Sequence, residues 1–275
     1  MACRCMLALL HGLSASVAMV AQPPDGRRLG DPEQPGRVVY VDLGARQGDT
    51  IAWYLHDRKL HNWARDPRPV AIWAWEVDPK NLGVLRQRVR ALNQDQNFHF
   101  REKNTVTIVE KAAWISEGST AFMRDTRMNA KHHMTLSGGS LLDTPFNNAS
   151  DTMQVATADF SQWLLSHTSV GDKVTVKMDI EGAEFRILDK MATDGSISRV
   201  RSLYIEIHEW FFSYADGGLA PGAERYSGTS RRWRDIEQKL RALAPDLEIV
   251  VKKDGRKVAA QAPTPSTKYA TDTAE

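Results

Sequence analysis

Between Lys177 and Glu184 the chain reads Lys-Met-Asp-Ile-Glu-Gly-Ala-Glu. Two carboxylates, Asp179 and Glu181, stand one residue apart just before a glycine. An apolar run, Val174-Thr175-Val176, leads in, and Phe185-Arg186-Ile187-Leu188 leads out with helical spacing. That is the pattern of a buried parallel strand ending before a helix. Ligands of open α/β sheets bind outside the carboxyl ends of the strands. Asp179 and Glu181 therefore fall where chemistry would occur. Further on, Tyr204-Ile205-Glu206-Ile207-His208 closes another strand. Alternation puts Glu206 and His208 on one side of it. Carboxylates and an imidazole can move a proton to or from a reacting hydroxyl, which makes Asp179, Glu181 and His208 the candidate catalytic groups. The plainer reading of His208 is a hydrogen-bonded histidine at a strand end. Glu184 reads as a solvated first-turn acid favoured by the helix dipole.

A second group lies nearer the start, in Val41-Asp42-Leu43-Gly44-Ala45-Arg46-Gln47-Gly48-Asp49-Thr50. Gly44 and Gly48 bracket a strand-to-helix turn, where glycine permits positive φ and close approach of the backbone to a ligand. Asp42 at the strand end can accept charge-assisted hydrogen bonds. Glu76 ends the next strand, where a carboxylate can take a pair of ribose hydroxyls. A plain tight turn, with Asp42 as a cap and Glu76 in solvent, would use the same residues. Carboxylates at Asp42, Glu76 and Asp179, each ending a βα unit, argue for a ligand site.

The Lys177–Glu184 stretch resembles the Lys-Ile-Asp-Val-Glu-Gly-Ala-Glu signature of FkbM-type methyltransferases. The Asp42–Gly48 stretch resembles the same family's Asp-x-Gly-Ala-Asn-x-Gly cofactor loop. The two blocks stand in order and at the right spacing, within a resemblance that runs roughly from Val38 to Ile207. The resemblance implies S-adenosyl-L-methionine as cofactor. Asp42 would meet its methionine ammonium, Gly44, Ala45 and Gly48 would form its loop, and Glu76 would hold the ribose. Ala112 and Ala113 would lie in the loop beside the adenine. The resemblance also implies transfer to oxygen, on a hydroxyl of a sugar, glycan or small-molecule acceptor. The glycine spacing agrees with this cofactor. A dinucleotide turn wants G-x-G-x-x-G, whereas here Gly44-x-x-x-Gly48 follows an aspartate that would repel a pyrophosphate. Arg46 stands where the family mostly has Asn. That departure favours the rival reading, a non-catalytic cofactor-binding protein that retains the fold. Asp179, Glu181, Glu206 and His208 could hold a divalent ion, but their spacing is not diagnostic and no metal is assigned. The His132-His133 pair reads as solvated, since adjacent residues of an extended segment point opposite ways.

The elements that must position these groups alternate. Strands are expected at Val38–Val41, Ala71–Trp75, Thr105–Val109, Met153–Thr157, up to Asp179, at Leu203–Ile207 and at Leu247–Val251. Helices are expected from Thr50 to about Leu60, from Pro79, after Asp159, up to about Met191 and over Ser230–Leu243. Asp78 caps the second helix with Pro79 at its first position, and Leu82, Leu85, Val89 and Leu92 give it one buried face. Such alternation argues a parallel sheet covered on both faces. The expected fold is α/β: a Rossmann-like methyltransferase fold with a mostly parallel seven-stranded sheet and helices on both faces. The family resemblance adds that the last strand is inserted antiparallel.

The bulk numbers bound the rest. The chain has 275 residues, is 42% hydrophobic and 25% charged, and carries a net charge of +2. This is ordinary globular composition, without the basic field of a nucleic-acid partner. The only cysteines are Cys3 and Cys5. Residues 1–21 read as a signal peptide or anchor: Arg4, an apolar stretch, then Ser16-Val17-Ala18. This places the protein in the secretory pathway or on a membrane through that segment alone, with a cytoplasmic location as the alternative. Asn148-Ala149-Ser150 is a glycosylation sequon. Residues 22–37 read as a linker, 38–254 as the methyltransferase-like domain and 255–275 as a disordered tail. The oligomeric state is left open.

Overall fold

A computed structural model describes residues 36–56, 68, 70–94, 104–124, 139–142, 151–208, 231–253 and 256–258. The signal or anchor segment, the His132-His133 pair, the sequon, residues 209–230 and most of the tail lie outside these residues.

The strands are β1 (Val38–Leu43), β2 (Val70–Trp75), β3 (Thr105–Val109), β4 (Ala112–Trp114), β5 (Gly118–Arg124), β6 (Gly139–Ser140), β7 (Thr152–Asp159), β8 (Lys173–Met178), β9 (Val200–Glu206), β10 (Glu248–Lys253) and β11 (Arg256–Val258). The helices are α1 (Asp49–His56), α2 (Pro79–Gln94), α3 (Phe160–His167), α4 (Glu184–Asp194) and α5 (Arg231–Leu243), with a 3-10 turn at Ser196–Arg199. Among the described residues, no helix is long and apolar enough to cross a membrane.

The main sheet has seven strands in the order β11-β10-β9-β8-β1-β2-β3. The six from β10 to β3 pair in parallel, and β11 pairs antiparallel with β10. All six residues of β1 are buried, because it has neighbours on both sides and helices above and below. Val39, Val41 and Leu43 join Val174, Val176, Met178 and residues of α3, α4 and α5 in one cluster. Val38 and Tyr40 join residues of α1 and α2 on the other face. Each such fully buried aliphatic side chain contributes about 1.5–3 kcal/mol.

Three expectations need correction. Met153–Thr157 forms the middle of β7, which belongs to a separate four-stranded sheet ordered β4-β7-β5-β6. The strand expected last and antiparallel, Leu247–Val251, falls in β10 and pairs parallel with β9; the antiparallel strand is β11, at the sheet's edge. It comes from Arg256–Val258, read from sequence as the start of a disordered tail. A hairpin return costs little chain, so β11 extends the edge that β10 leaves open.

The second sheet is locked to the first by a buried ion pair. Arg124 donates to both oxygens of Asp78, at 3.0 and 2.8 Å, and to Asp151 at 2.7 Å. Asp78 also accepts from the Lys80 amide at 2.9 Å, as its capping role requires. At the other end of the chain, Gly36 and Arg37 are part of the fold although they fall in the expected linker. The Arg37 guanidinium donates to Asp172 at 2.9 Å and to the His167 carbonyl at 2.7 Å. A Cβ on Gly36 would lie 1.8 Å from the Gly171 carbonyl oxygen, so only glycine lets the two segments pass.

Candidate active site

From β1 the chain builds outward through β2 and β3, and from β8 it builds the other way through β9 and β10. The change of direction between β1 and β8 is where open α/β sheets form a ligand crevice at their carboxyl ends. Two turns meet there, one after Leu43 and one after Met178. The Asp179 amide donates to the Leu43 carbonyl at 3.2 Å. Gly44 has φ +78°, and a Cβ there would lie 2.0 Å from the Asp179 carbonyl oxygen. Gly44 is therefore required twice, by its backbone angle and by the closeness of the second turn.

The register sets Asp42 opposite Lys177. Lys177 Nζ lies 3.2 Å from Asp42 Oδ1 and 3.5 Å from Asp179 Oδ2, and donates to the Gly44 carbonyl at 2.8 Å. Burial opposes the ammonium, and the carboxylates of Asp42 and Asp179 more than offset it, so its pKa is raised. Thr50 Oγ1 of α1 donates to the other oxygen of Asp42. Asp42 has no exposed surface. The expectation that it meets a ligand ammonium thus encounters a carboxylate already engaged by Thr50 and Lys177, behind the turn.

Ala45 is buried, and its amide donates to the Trp75 carbonyl at 2.9 Å. The Gly48 amide closes the turn on the Ala45 carbonyl at 2.7 Å. Between them Arg46 has φ +49°, in the left-handed region. Asn tolerates that region better than other non-glycine residues, which gives a conformational reason for Asn at this place in the related loop. Arg46 adopts this conformation at a cost of about 1–2 kcal/mol. Glu76, just past β2, accepts from the Val77 and Asp78 amides at 2.8 and 2.7 Å. Burial raises its carboxyl pKa, against the pull of these amides. Ala112 and Ala113, expected in a loop, form the buried strand β4 instead.

Asp179, Glu181 and His208 come together. His208 Nε2 lies 3.5 Å from Glu181 Oε2 and 3.8 Å from Asp179 Oδ1. The two carboxylate side chains keep 23% and 28% exposure, while the imidazole is buried. Its other nitrogen, Nδ1, lies 2.8 Å from Glu184 Oε1. Burial pushes the imidazole down, and Glu181, Glu184 and Asp179 together carry its pKa up to about 10. Burial, with Asp179, Glu184 and Glu206 nearby, pushes Glu181 up to about 7 in spite of His208. Burial also acts upward on Asp179, yet Lys177 and His208 hold it below the usual carboxylate range.

Glu184 was expected in solvent, and that expectation is wrong: the residue is 1% exposed. Its carboxylate accepts from the Ile180 amide at 2.9 Å and the Gly182 amide at 2.8 Å, besides meeting His208. The loop it gathers is strained, since Glu181 has φ +54°. Ser140, from β6 of the second sheet, donates to the Glu181 carbonyl at 2.7 Å and holds that conformation. Backbone strain of this kind, about 1–3 kcal/mol, concentrates at functional sites. Glu206 turns to Lys252 of β10 in an ion pair. Lys177, Thr50 and Ser140 are site-building residues that the sequence reading passed over, and Glu184 is one that it misread.

The model of the methyltransferase FkbM domain matches residues 42–243. The chain belongs to the FkbM methyltransferase family. The FkbM match begins at Asp42 and ends at Leu243, so it takes in both turns, the second sheet and α5. A solved structure, methyltransferase FkbM from Methylobacillus flagellatus KT, is similar at 17% identity and a TM-score of 0.39, over 82% of this chain and 43% of that one. The chain thus spans less than half the length of that FkbM relative. No curated protein matches it.

Proposed function

We propose that this methyltransferase uses S-adenosyl-L-methionine and methylates a hydroxyl oxygen on a sugar, glycan or small-molecule acceptor. The observation that carries the reading is the meeting of two turns at the switch point. One is a backbone turn next to the fixed Glu76 carboxylate. The other presents Asp179 and Glu181 beside His208.

The residues fit the cofactor. The glycines let the turn from Gly44 to Gly48 pack closely against the second turn and α2, and beside it Glu76 is held rigid by two amides. A rigid carboxylate at the end of β2 suits a vicinal diol. Asp42 contributes by holding Thr50 and Lys177, and through Lys177 the two turns. Bound against this turn, S-adenosyl-L-methionine supplies an electrophilic methyl group. The chain's own part is to align an acceptor oxygen with it, and much of the acceleration of such a transfer comes from that alignment. The carboxylates of Asp179 and Glu181 accept the hydroxyl's hydrogen bond and receive its proton. Lys177 and the protonated His208 keep Asp179 ionised. Glu184 fixes the ring of His208 from behind.

Calorimetric titration with S-adenosyl-L-methionine tests the cofactor half. Wild-type protein binds, and Glu76→Ala, checked for an unchanged fold, loses about 1–3 kcal/mol because ligand hydroxyls go unpaired. Equal affinity in the two proteins would remove Glu76 and the turn beside it from the cofactor site.

A further inference from the structure

We propose that Asp179, Glu181 and His208 form a site for one divalent metal ion, aimed by Glu184. The inference deepens the reading above and rests on it only for what the ion would do, not for the site itself.

One oxygen from each carboxylate and one ring nitrogen all lie within 4.8 Å of one another. Nε2 stands 3.5 Å from Glu181 and 3.8 Å from Asp179. These separations are long for direct hydrogen bonds. Donors about 2.1 Å from a common ion stand roughly 3–4 Å apart, which these distances match.

The ring is aimed as metal-binding imidazoles are. Such a ring typically gives its second nitrogen to a carboxylate that fixes its tautomer and direction. Here Nδ1 meets Glu184 Oε1 at 2.8 Å, in a buried position. Glu184 is itself locked by the Ile180 and Gly182 amides. The loop that carries Asp179 and Glu181 thus also orients the nitrogen that faces them. The three donors come from two segments, the ends of β8 and β9, held by adjacent strands of one sheet.

Charge points the same way. Asp42, Asp179, Glu181, Glu184 and Glu206 face Lys177, His208 and Lys252 through ion pairs and close electrostatic contact. Five carboxylates face two lysines, and the surplus of negative charge favours a cation. A dication between the three donors offsets most of that excess, while Nδ1 keeps its bond to Glu184. Carboxylates favour Mg²⁺ and Mn²⁺ and imidazole favours first-row metals, so Mn²⁺ satisfies both. Its role would be to bind and polarise the acceptor hydroxyl. The hydroxyl proton passes to the carboxylate oxygen that does not hold the ion, the oxygen–methyl bond forms, and the sulfur–methyl bond breaks with its electron pair staying on sulfur.

The test uses the full chain stripped of metal with a chelator, without methyl donor or acceptor. Mn²⁺ is titrated in, and the free ion is followed by electron paramagnetic resonance. The expected result is one bound equivalent. Glu181→Gln, at a partly exposed position, should keep the fold and lose at least tenfold in affinity. Glu184→Gln should lose about 10–100-fold, as loss of an outer carboxylate does. Free Mn²⁺ at every protein concentration would overturn the proposal, and so would equal binding by wild type and Glu181→Gln. Methyl transfer that persists unchanged in the chelator would overturn it as well, while leaving the proposed function standing. One-equivalent binding without any methyl transfer would do the reverse.

Discussion

Glu184 Oε1 lies 2.8 Å from His208 Nδ1, and this contact joins the loop after β8 to the end of β9. The same carboxylate accepts two amides of its own loop, so one side chain fixes both the imidazole and the turn that carries Asp179 and Glu181. Glu184→Ala should therefore destabilise the protein by about 3–5 kcal/mol, the usual cost of stripping a partner from a buried charged group. Denaturant unfolding followed by tryptophan fluorescence measures it. A loss under about 1 kcal/mol would mean that the contact is incidental.

Gly44→Ala tests the meeting of the two turns. The new Cβ would lie 2.0 Å from the Asp179 carbonyl oxygen, at a backbone angle of φ +78°. Overpacking typically costs about 1–3 kcal/mol, and a disallowed backbone angle adds to it. The thermal midpoint should fall, and cofactor affinity should fall with it, because Lys177 donates to the Gly44 carbonyl. An unchanged midpoint would show that the turns can part at no cost.

Acid stability should depend on Asp172. Burial pushes its carboxyl up, but Arg37 and the Ser169 amide pull it further down, so its pKa is lowered on folding. A group with a depressed folded pKa stabilises above its unfolded value, about 3.9, and loses that contribution as pH falls through the folded one. Asp172→Asn should cost about 0.5–1.5 kcal/mol at neutral pH, the worth of its partly exposed charge-assisted bonds. The difference from wild type should close as pH drops below 4. A difference that stays constant with pH would show that Asp172 does not act through its charge.

The fold was readable where local pattern and tertiary role agree. Val38–Val41 and Val174–Val176 are short β-branched-rich runs before a polar turn, and that alone gives two central parallel strands. The second sheet was missed because Ala112–Trp114 is three residues long and Gly118–Arg124 opens on exposed polar residues. Neither carries a period strong enough to mark a strand. Asp179, Glu181 and His208 were found because strand ends can be located from the sequence. Glu184 was misread because a first-turn acid is ordinarily solvated, and its burial depends on a histidine 24 residues away. Lys177 stood within the quoted motif without a role. Only the register that sets it opposite Asp42 gives it one.

Transfer of labelled methyl from S-adenosyl-L-methionine to a panel of sugars, glycans and small alcohols tests the central claim most directly, with wild type and Asp179→Asn side by side. Wild type should label at least one hydroxyl acceptor. Asp179→Asn should bind the cofactor within a few-fold of wild type and lose about 10²–10⁴ in rate, as removal of a proton-accepting group does. Cofactor binding by wild type without label in any acceptor would contradict the claim and favour a non-catalytic cofactor-binding protein. Undiminished transfer by Asp179→Asn would take the end of β8 out of the chemistry.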